Sequence, residues 1–219
     1  MSTWSEFYNQ FSIQLNEQQQ SAVQSVTGPV LLLAVPGSGK TTVLVTRLGY
    51  MIFCRGIAPE KILTVTYTVA ATKDMSERFA SRFGQDLADH LEFRTINGIC
   101  ARVIQYYGRK TARTAFSLLT DEKRISAILF AIYQKTERVY PTEGDLKNVR
   151  TLITYIKNRM LNEKEIEALD ETSEIRISAI YKEYCKHLRE NQLMDYDDQM
   201  VYAYNMLRKI PWLLEYFQD

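Results

Sequence analysis

The spacing of apolar residues changes repeatedly along this chain, and each change marks a different kind of element. From 30 to 34 they are continuous (Val30, Leu31, Leu32, Leu33, Ala34), the pattern of a strand buried on both faces. A second such run, apolar and rich in β-branched residues, spans 61–67. After each run the spacing switches to the three-and-four period of a helix. Val43, Leu44, Val45, Leu48 and Ile52 predict a helix from Lys40 to about Cys54, ending near Gly56, and 68–83 predicts another, stopped by Gly84. A third short strand is expected at 93–95, before a helix over 97–107. Strands alternating with helices in this way build a parallel α/β sheet.

Two further features complete the pattern. Upstream, Leu15 to Val23 reads as a helix start, with Asn16 as N-cap, Gln19 at the capping-box position, and Ala22 and Val23 opening the apolar face. Beyond Gly108 the strand signals fade. Helices are predicted over 121–134, 145–158 and 173–190. In the last, Ile177, Ile180, Tyr181, Tyr184, Cys185 and Leu188 form one amphipathic stripe, which reads as core packing. Asp195, Asp197 and Asp198 read as the cap and acidic first turn of a helix buried through Met200, Val201, Tyr204 and Leu207, rather than as a metal site. The division expected is therefore 1–107, carrying the sheet, and 108–219, mainly helical and packed directly against it.

The junction between the first strand and its helix carries the chemistry. Ala34-Val35-Pro36-Gly37-Ser38-Gly39-Lys40-Thr41-Thr42 is the A-x-x-x-x-G-K-T form of a phosphate loop, with Ala34 where the usual pattern has glycine. Gly37 and Gly39 permit backbone conformations closed to other residues, so that successive N–H groups turn inward as an anion nest. Lys40 then reaches the β- and γ-phosphates. The Thr41 hydroxyl becomes a Mg²⁺ ligand at the positive end of a helix. The ligand implied is a nucleoside triphosphate.

Composition narrows this only a little. The 219 residues are 46% hydrophobic with a net charge of +1, which excludes a globally basic footprint for nucleic acid. No stretch is long enough to span a membrane, and Met1 to Phe11 lacks the form of a secretory signal, so the expected location is cytoplasmic. Cys54, Cys100 and Cys185 are odd in number and far apart, and read as reduced thiols; His90 and His187 are isolated.

With the phosphate loop in place, the order of other segments resembles the amino-terminal part of the UvrD/Rep family of superfamily 1 DNA helicases. Leu15-Asn16-x-x-Gln19 is similar to that family's Q motif, whose glutamine reads the adenine edge. Thr66-Tyr67-Thr68, with Ala71 and Asp74-Met75, resembles motif Ia. Thr95-Ile96-Asn97-Gly98-Ile99-Cys100 sits where the family has T-F-H-S-x-C. The segment from Tyr181 to Leu207, with Asp195-Tyr196-Asp197-Asp198, resembles the one that leads toward the Walker B strand. This chain has Val69 for the usual asparagine of motif Ia, Ile96-Asn97-Gly98 for Phe-His-Ser, and Thr42 where many relatives carry arginine.

The resemblance implies a RecA-like P-loop NTPase sheet with an inserted helical subdomain. It implies ATP and Mg²⁺ at Gln19 and the loop from Ala34 to Thr42, and single-stranded DNA, or DNA with a single-stranded tail, at Thr66, Tyr67, Thr68, Thr95 and Asn97. The activity implied is ATP-driven 3′-to-5′ translocation or unwinding. Tyr67 is available to stack on a base, against the plainer reading of an aromatic packed under the next helix. Glu215-Tyr216-Phe217-Gln218-Asp219 imitates a Walker B sequence, yet Trp212, Leu213, Tyr216 and Phe217 are spaced as a short helix after Pro211. The chain is therefore expected to be a fragment of a longer enzyme, catalytically incomplete alone. A small-molecule kinase and a non-catalytic nucleotide- or DNA-binding module are the competing readings.

Overall fold

The structure is a computed structural model that describes residues 1–218; Asp219 lies outside the described residues. It is a mostly helical α/β arrangement with two small parallel sheets, and it divides into two compact units, Met1–Ile99 and Cys100–Asp219.

The first unit opens with α1 (Trp4–Gln10), α2 (Glu17–Gln24) and α3 (Lys40–Phe53). Then come β1 (Leu63–Thr66), α4 (Val69–Phe83), α5 (Gln85–His90), β2 (Glu92–Thr95) and the first turn of α6 (Ile96–Thr111). β1 and β2 pair in parallel, with Leu63 opposite Glu92 and Thr66 opposite Thr95. The crossover between them is α4 and α5, as parallel pairing requires. The core gathers Phe7, Val23, Val43, Leu48, Ile62, Phe79, Phe83 and Leu91. Gly49 on α3 is what lets α4 approach, because a Cβ there would stand 2.4 Å from the Phe83 ring. α1 and α5 are too short for their periodicity to stand out in the sequence.

The strand expected at 30–34 does not form. β1 and β2 pair only with each other, and no described residue hydrogen-bonds to the backbone of Val30 to Leu33. The run nevertheless keeps a two-residue alternation: Val30 and Leu32 are 44% and 37% exposed, Leu31 and Leu33 82% and 83%. An apolar run of this kind becomes a strand only when a neighbouring strand satisfies its N–H and C=O groups, and the described residues supply none.

The second unit is built from the remainder of α6, then β3 (Ser117–Leu118), α7 (Glu122–Glu137), α8 (Glu143–Arg159), α9 (Glu163–Ser173) and α10 (Ile177–Glu190). β4 (Leu193–Met194), α11 (Tyr196–Lys209) and α12 (Pro211–Gln218) close it. α6 runs on through Gly108, where the chain folds back so tightly that a Cβ would lie 2.7 Å from the Arg113 carbonyl. Asp121, Thr142, Asn162 and Asp195 accept from the first-turn N–H groups of α7, α8, α9 and α11. The helix expected to begin at 173 begins at Ile177, after a break at Glu174 with φ 58°. α9 precedes that break; it buries only Ile166, too little apolar stripe to announce it. β3 and β4 form a two-residue parallel pair. Among the described residues no helix is long and apolar enough to cross a membrane.

Candidate functional site

The loop from Ala34 to Gly39 is held by its own backbone and by three side chains, those of Ser38, Lys40 and Gln19. Gly37 and Gly39 have φ of 79° and 81°, the left-handed region that the sequence pattern requires of them. The Val35 carbonyl accepts from the Ser38 N–H at 3.3 Å, the Ser38 hydroxyl at 2.8 Å and Lys40 Nζ at 2.9 Å. Lys40 Nζ also donates to the Ala34 carbonyl at 3.3 Å, so the ammonium is folded over the turn and exposed to solvent.

Gly39 is the N-cap of α3 and supplies no side-chain acceptor. The N–H groups of Gly39, Lys40, Thr41 and Thr42 therefore have no acceptor among the described residues, and neither do the hydroxyls of Thr41 and Thr42. Pro36 sits in the turn with no N–H to offer. A helix start with free donors, an exposed lysine and a left-handed glycine pair is a concave anion acceptor.

Gln19 reaches this loop from α2. Its Oε1 accepts from the Asn16 N–H at 3.0 Å while Asn16 Oδ1 accepts from the Gln19 N–H at 2.9 Å, the reciprocal capping box expected of the sequence. Its Nε2 donates across 19 residues of chain to the Ser38 carbonyl at 3.0 Å. The sequence pattern foretells the cap and is silent about the contact with Ser38.

The second group of candidate residues lies at the carboxyl ends of β1 and β2, which the parallel register sets side by side through Thr66 and Thr95. Thr66 Oγ1 bonds to the Thr68 carbonyl and to the Thr72 hydroxyl, and Thr68 Oγ1 accepts from the Ala71 N–H at 3.1 Å as cap of α4. Thr95 Oγ1 accepts from the Gly98 N–H at 3.0 Å at the start of α6. These hydroxyls are occupied by the turns they build. Tyr67 is 89% exposed, so the alternative of an aromatic packed under the next helix is excluded. Asn97 Oδ1 is buried without a hydrogen-bond partner, as is Thr64 Oγ1 on β1. Crevices beyond the carboxyl ends of parallel strands are where α/β sheets bind ligands.

The second unit contains a charged cluster that the sequence pattern does not announce. Lys157, with a side chain 2% exposed, places Nζ 2.7 Å from Asp195 Oδ2 and 2.8 Å from Asp198 Oδ1. Tyr184 donates its hydroxyl to Asp195 Oδ2 at 3.1 Å. Burial works against the ammonium, and the two carboxylates outweigh it, so Lys157 is held charged; burial and Asp195 together push the Asp198 carboxyl up. The readable signal is positional: Lys157 falls four residues after Ile153, on the apolar stripe of Val149, Ile153 and Ile156.

Comparison with known proteins agrees with the order of these features. The sequence profile of the UvrD/REP helicase N-terminal domain matches residues 15–219. The chain is similar to the ATP-dependent DNA helicase PcrA of Bacillus subtilis, at 31% identity over 216 residues, covering 96% of this chain and 28% of that protein. It is similar also to the PcrA helicases of Staphylococcus aureus, at 27% identity, and Staphylococcus epidermidis, at 28%, over 94% of this chain and 28% of each. The chain thus spans a little over a quarter of the length of the relatives it matches.

Proposed function

We propose, from the premise that this chain belongs to the UvrD/REP helicase N-terminal domain family, that it is the nucleotide-binding part of an ATP-driven motor on DNA. Family membership removes the support for a small-molecule kinase and for a non-catalytic module. The observation that carries the reading is the uncapped start of α3, where free N–H groups follow the positive-φ glycines.

In this reading residues 1–107 belong to a RecA-like motor domain and 108–219 to a helical subdomain inserted in it. The triphosphate lies along Ala34 to Thr42. Lys40 leaves the Val35 carbonyl for the phosphates, exchanging a neutral acceptor for an anionic one. The Thr41 hydroxyl, free of protein partners, offers the single hard oxygen that Mg²⁺ takes alongside phosphate oxygens and water. Mg²⁺ held there would supply positive charge to offset that developing on the phosphates during transfer to water. Gln19 is the candidate for the adenine edge. Single-stranded DNA crosses the strand ends, where Tyr67 offers a ring face and Thr66, Thr68, Thr95 and Asn97 are the further candidate contacts. A DNA substrate accords with a cytoplasmic protein.

Equilibrium binding of Mg-ATP to the chain tests this directly. Lys40→Ala removes a charged donor to the phosphates and is expected to weaken binding by about ten- to a hundredfold, the worth of a charge-assisted hydrogen bond. Unchanged affinity in a folded Lys40→Ala chain would overturn the assignment.

A further inference from the structure

We infer that Gln19 is a positioning residue for the phosphate loop, setting the Ser38–Gly39 peptide so that the Gly39 N–H faces an incoming phosphate. The inference rests on the reading of Ala34 to Thr42 as a triphosphate site, and adds to it a role that does not involve the base.

The argument begins with the peptide plane. In a trans peptide the C=O and the following N–H point in opposite directions, and this chain has no cis peptide among its described residues. Gln19 Nε2 holds the Ser38 carbonyl at 3.0 Å. The Gly39 N–H is thereby turned away from Gln19 and left without a protein acceptor. It is the donor that leads into the uncapped start of α3. Without that bond the peptide is free to rotate, because glycine on its carboxyl side tolerates either orientation. The approach is close: a Cβ at position 39 would stand 3.3 Å from Gln19 Nε2. Gly39 is thus required for its φ of 81°, and a Cβ there would press on Gln19 Nε2 and shift it by a few tenths of an ångström.

The Gln19 amide has capacity for this role and for another. It carries two N–H donors and an oxygen with two lone pairs. One donor goes to Ser38 and one lone pair accepts from Asn16, so one of each remains. A donor beside an acceptor is the pair that matches the N7 and N6 edge of adenine. A single side chain therefore joins the cap of α2, the phosphate loop and the base.

Inorganic tripolyphosphate, which has no base, separates the roles. Competition of tripolyphosphate and of ATP against a fluorescent nucleotide is measured for the whole chain and for Gln19→Met, Asn16→Ala and Lys40→Ala. The fold of each is checked by urea unfolding. Gln19→Met is expected to weaken tripolyphosphate about two- to tenfold, the worth of one net hydrogen bond, and ATP by at least as much. Asn16→Ala spares the contact with Ser38 and should leave tripolyphosphate binding near that of the unaltered chain.

Loss of ATP affinity alone in Gln19→Met, or no loss at all, overturns the inference. An equal loss in Asn16→Ala also overturns it, since the effect would then act through the start of α2. Tripolyphosphate binding that survives Lys40→Ala overturns the phosphate-loop reading itself, a distinct result. Should Gln19→Met not fold, the Gln19 side-chain amide resonances of the unaltered chain serve instead. They are expected to shift on adding tripolyphosphate, and resonances that stay fixed at saturation overturn the inference.

Discussion

The two compact units satisfy their own polar groups to different degrees. In Met1–Ile99 the start of α3 has no side-chain cap, the apolar run from Val30 to Val35 is exposed, and Leu63, Val65 and Tyr67 face solvent. Among the described residues, both buried side-chain polar atoms without a partner, Thr64 Oγ1 and Asn97 Oδ1, also lie there. In Cys100–Asp219 α10 also starts without a side-chain cap, but Asp170 accepts from its Ser178 N–H, and the buried Lys157 is matched by two carboxylates and the Tyr184 ring. Its large exposed apolar side chains are distributed over several elements, with Phe130 against Tyr140 beside α7 and Tyr204, Trp212 and Tyr216 on α11 and α12. Unfilled donors and acceptors collect in the unit that carries the phosphate loop, whereas exposed apolar side chains occur in both. A unit that leaves groups unpaired keeps them available for ligands, and a self-satisfied one has stability to lose when a group is removed.

The sharpest way to break this comparison is to unbalance the second unit. Lys157→Met leaves Asp195 and Asp198 buried and facing each other without their cation, an arrangement that costs about 3–5 kcal/mol. The sign with pH is fixed by the same argument. In the variant the Asp198 carboxyl, already pushed up by burial and Asp195, loses the cation that pulls it down, so stability is present at low pH and lost as pH rises through its folded value. Urea unfolding is expected to show the variant closer to wild type near pH 5 than at pH 8. An equal deficit at both pH values would mean that lost packing, not charge, is responsible.

In the first unit the comparable weak point is steric. Gly49→Ala drives a methyl into the Phe83 ring, beside the stacked pair of Phe83 and Phe7. The expected loss is about 1–3 kcal/mol, the usual cost of overpacking a filled core. Pairing it with Phe83→Leu should recover part of that loss. A neutral Gly49→Ala would show that α3 and α4 slide apart freely.

These contrasts also show what could be read from residue order alone. The loop, its two glycines, the Asn16 and Gln19 cap and the cap at Asp195 follow from local chemistry, which neighbours in sequence fix. The exposed position of Tyr67 at a strand end needed the β1–β2 register, and with it the placement of Thr66 beside Thr95. The strand at 30–34 misled because continuous apolar residues report a capacity for burial on two faces, not the presence of the elements that provide it. The bond from Gln19 to Ser38 and the burial of Lys157 join residues 19 and 38 positions apart, and no local pattern encodes either. Lys157 alone left a trace, as a cation on an apolar stripe.

Tyr67 tests whether the unsatisfied side of the first unit is a binding surface. If its ring stacks on a base, Tyr67→Ala weakens single-strand binding by about 1–3 kcal/mol and Tyr67→Phe is nearly silent, since stacking uses only the ring. Titration with a labelled oligonucleotide at fixed salt reads this. Equal losses in both variants would assign the contact to the hydroxyl, and no loss in either would remove Tyr67 from the DNA path.

The smallest effect is expected at the run from Val30 to Val35, and its smallness is informative. Leu31 and Leu33 point outward on the same side of an extended, unpaired segment. Replacing both with lysine therefore removes no buried surface and should change the unfolding free energy of the chain by less than about 0.5 kcal/mol per site. The same change places two charges on an apolar edge that otherwise offers unpaired N–H and C=O groups to other strands, so self-association at high concentration should fall. Light scattering and urea unfolding on the double variant separate the two effects. A loss above about 2 kcal/mol, twice the additive allowance for two exposed positions, would mean that the run is packed in solution and that the first unit satisfies itself as fully as the second.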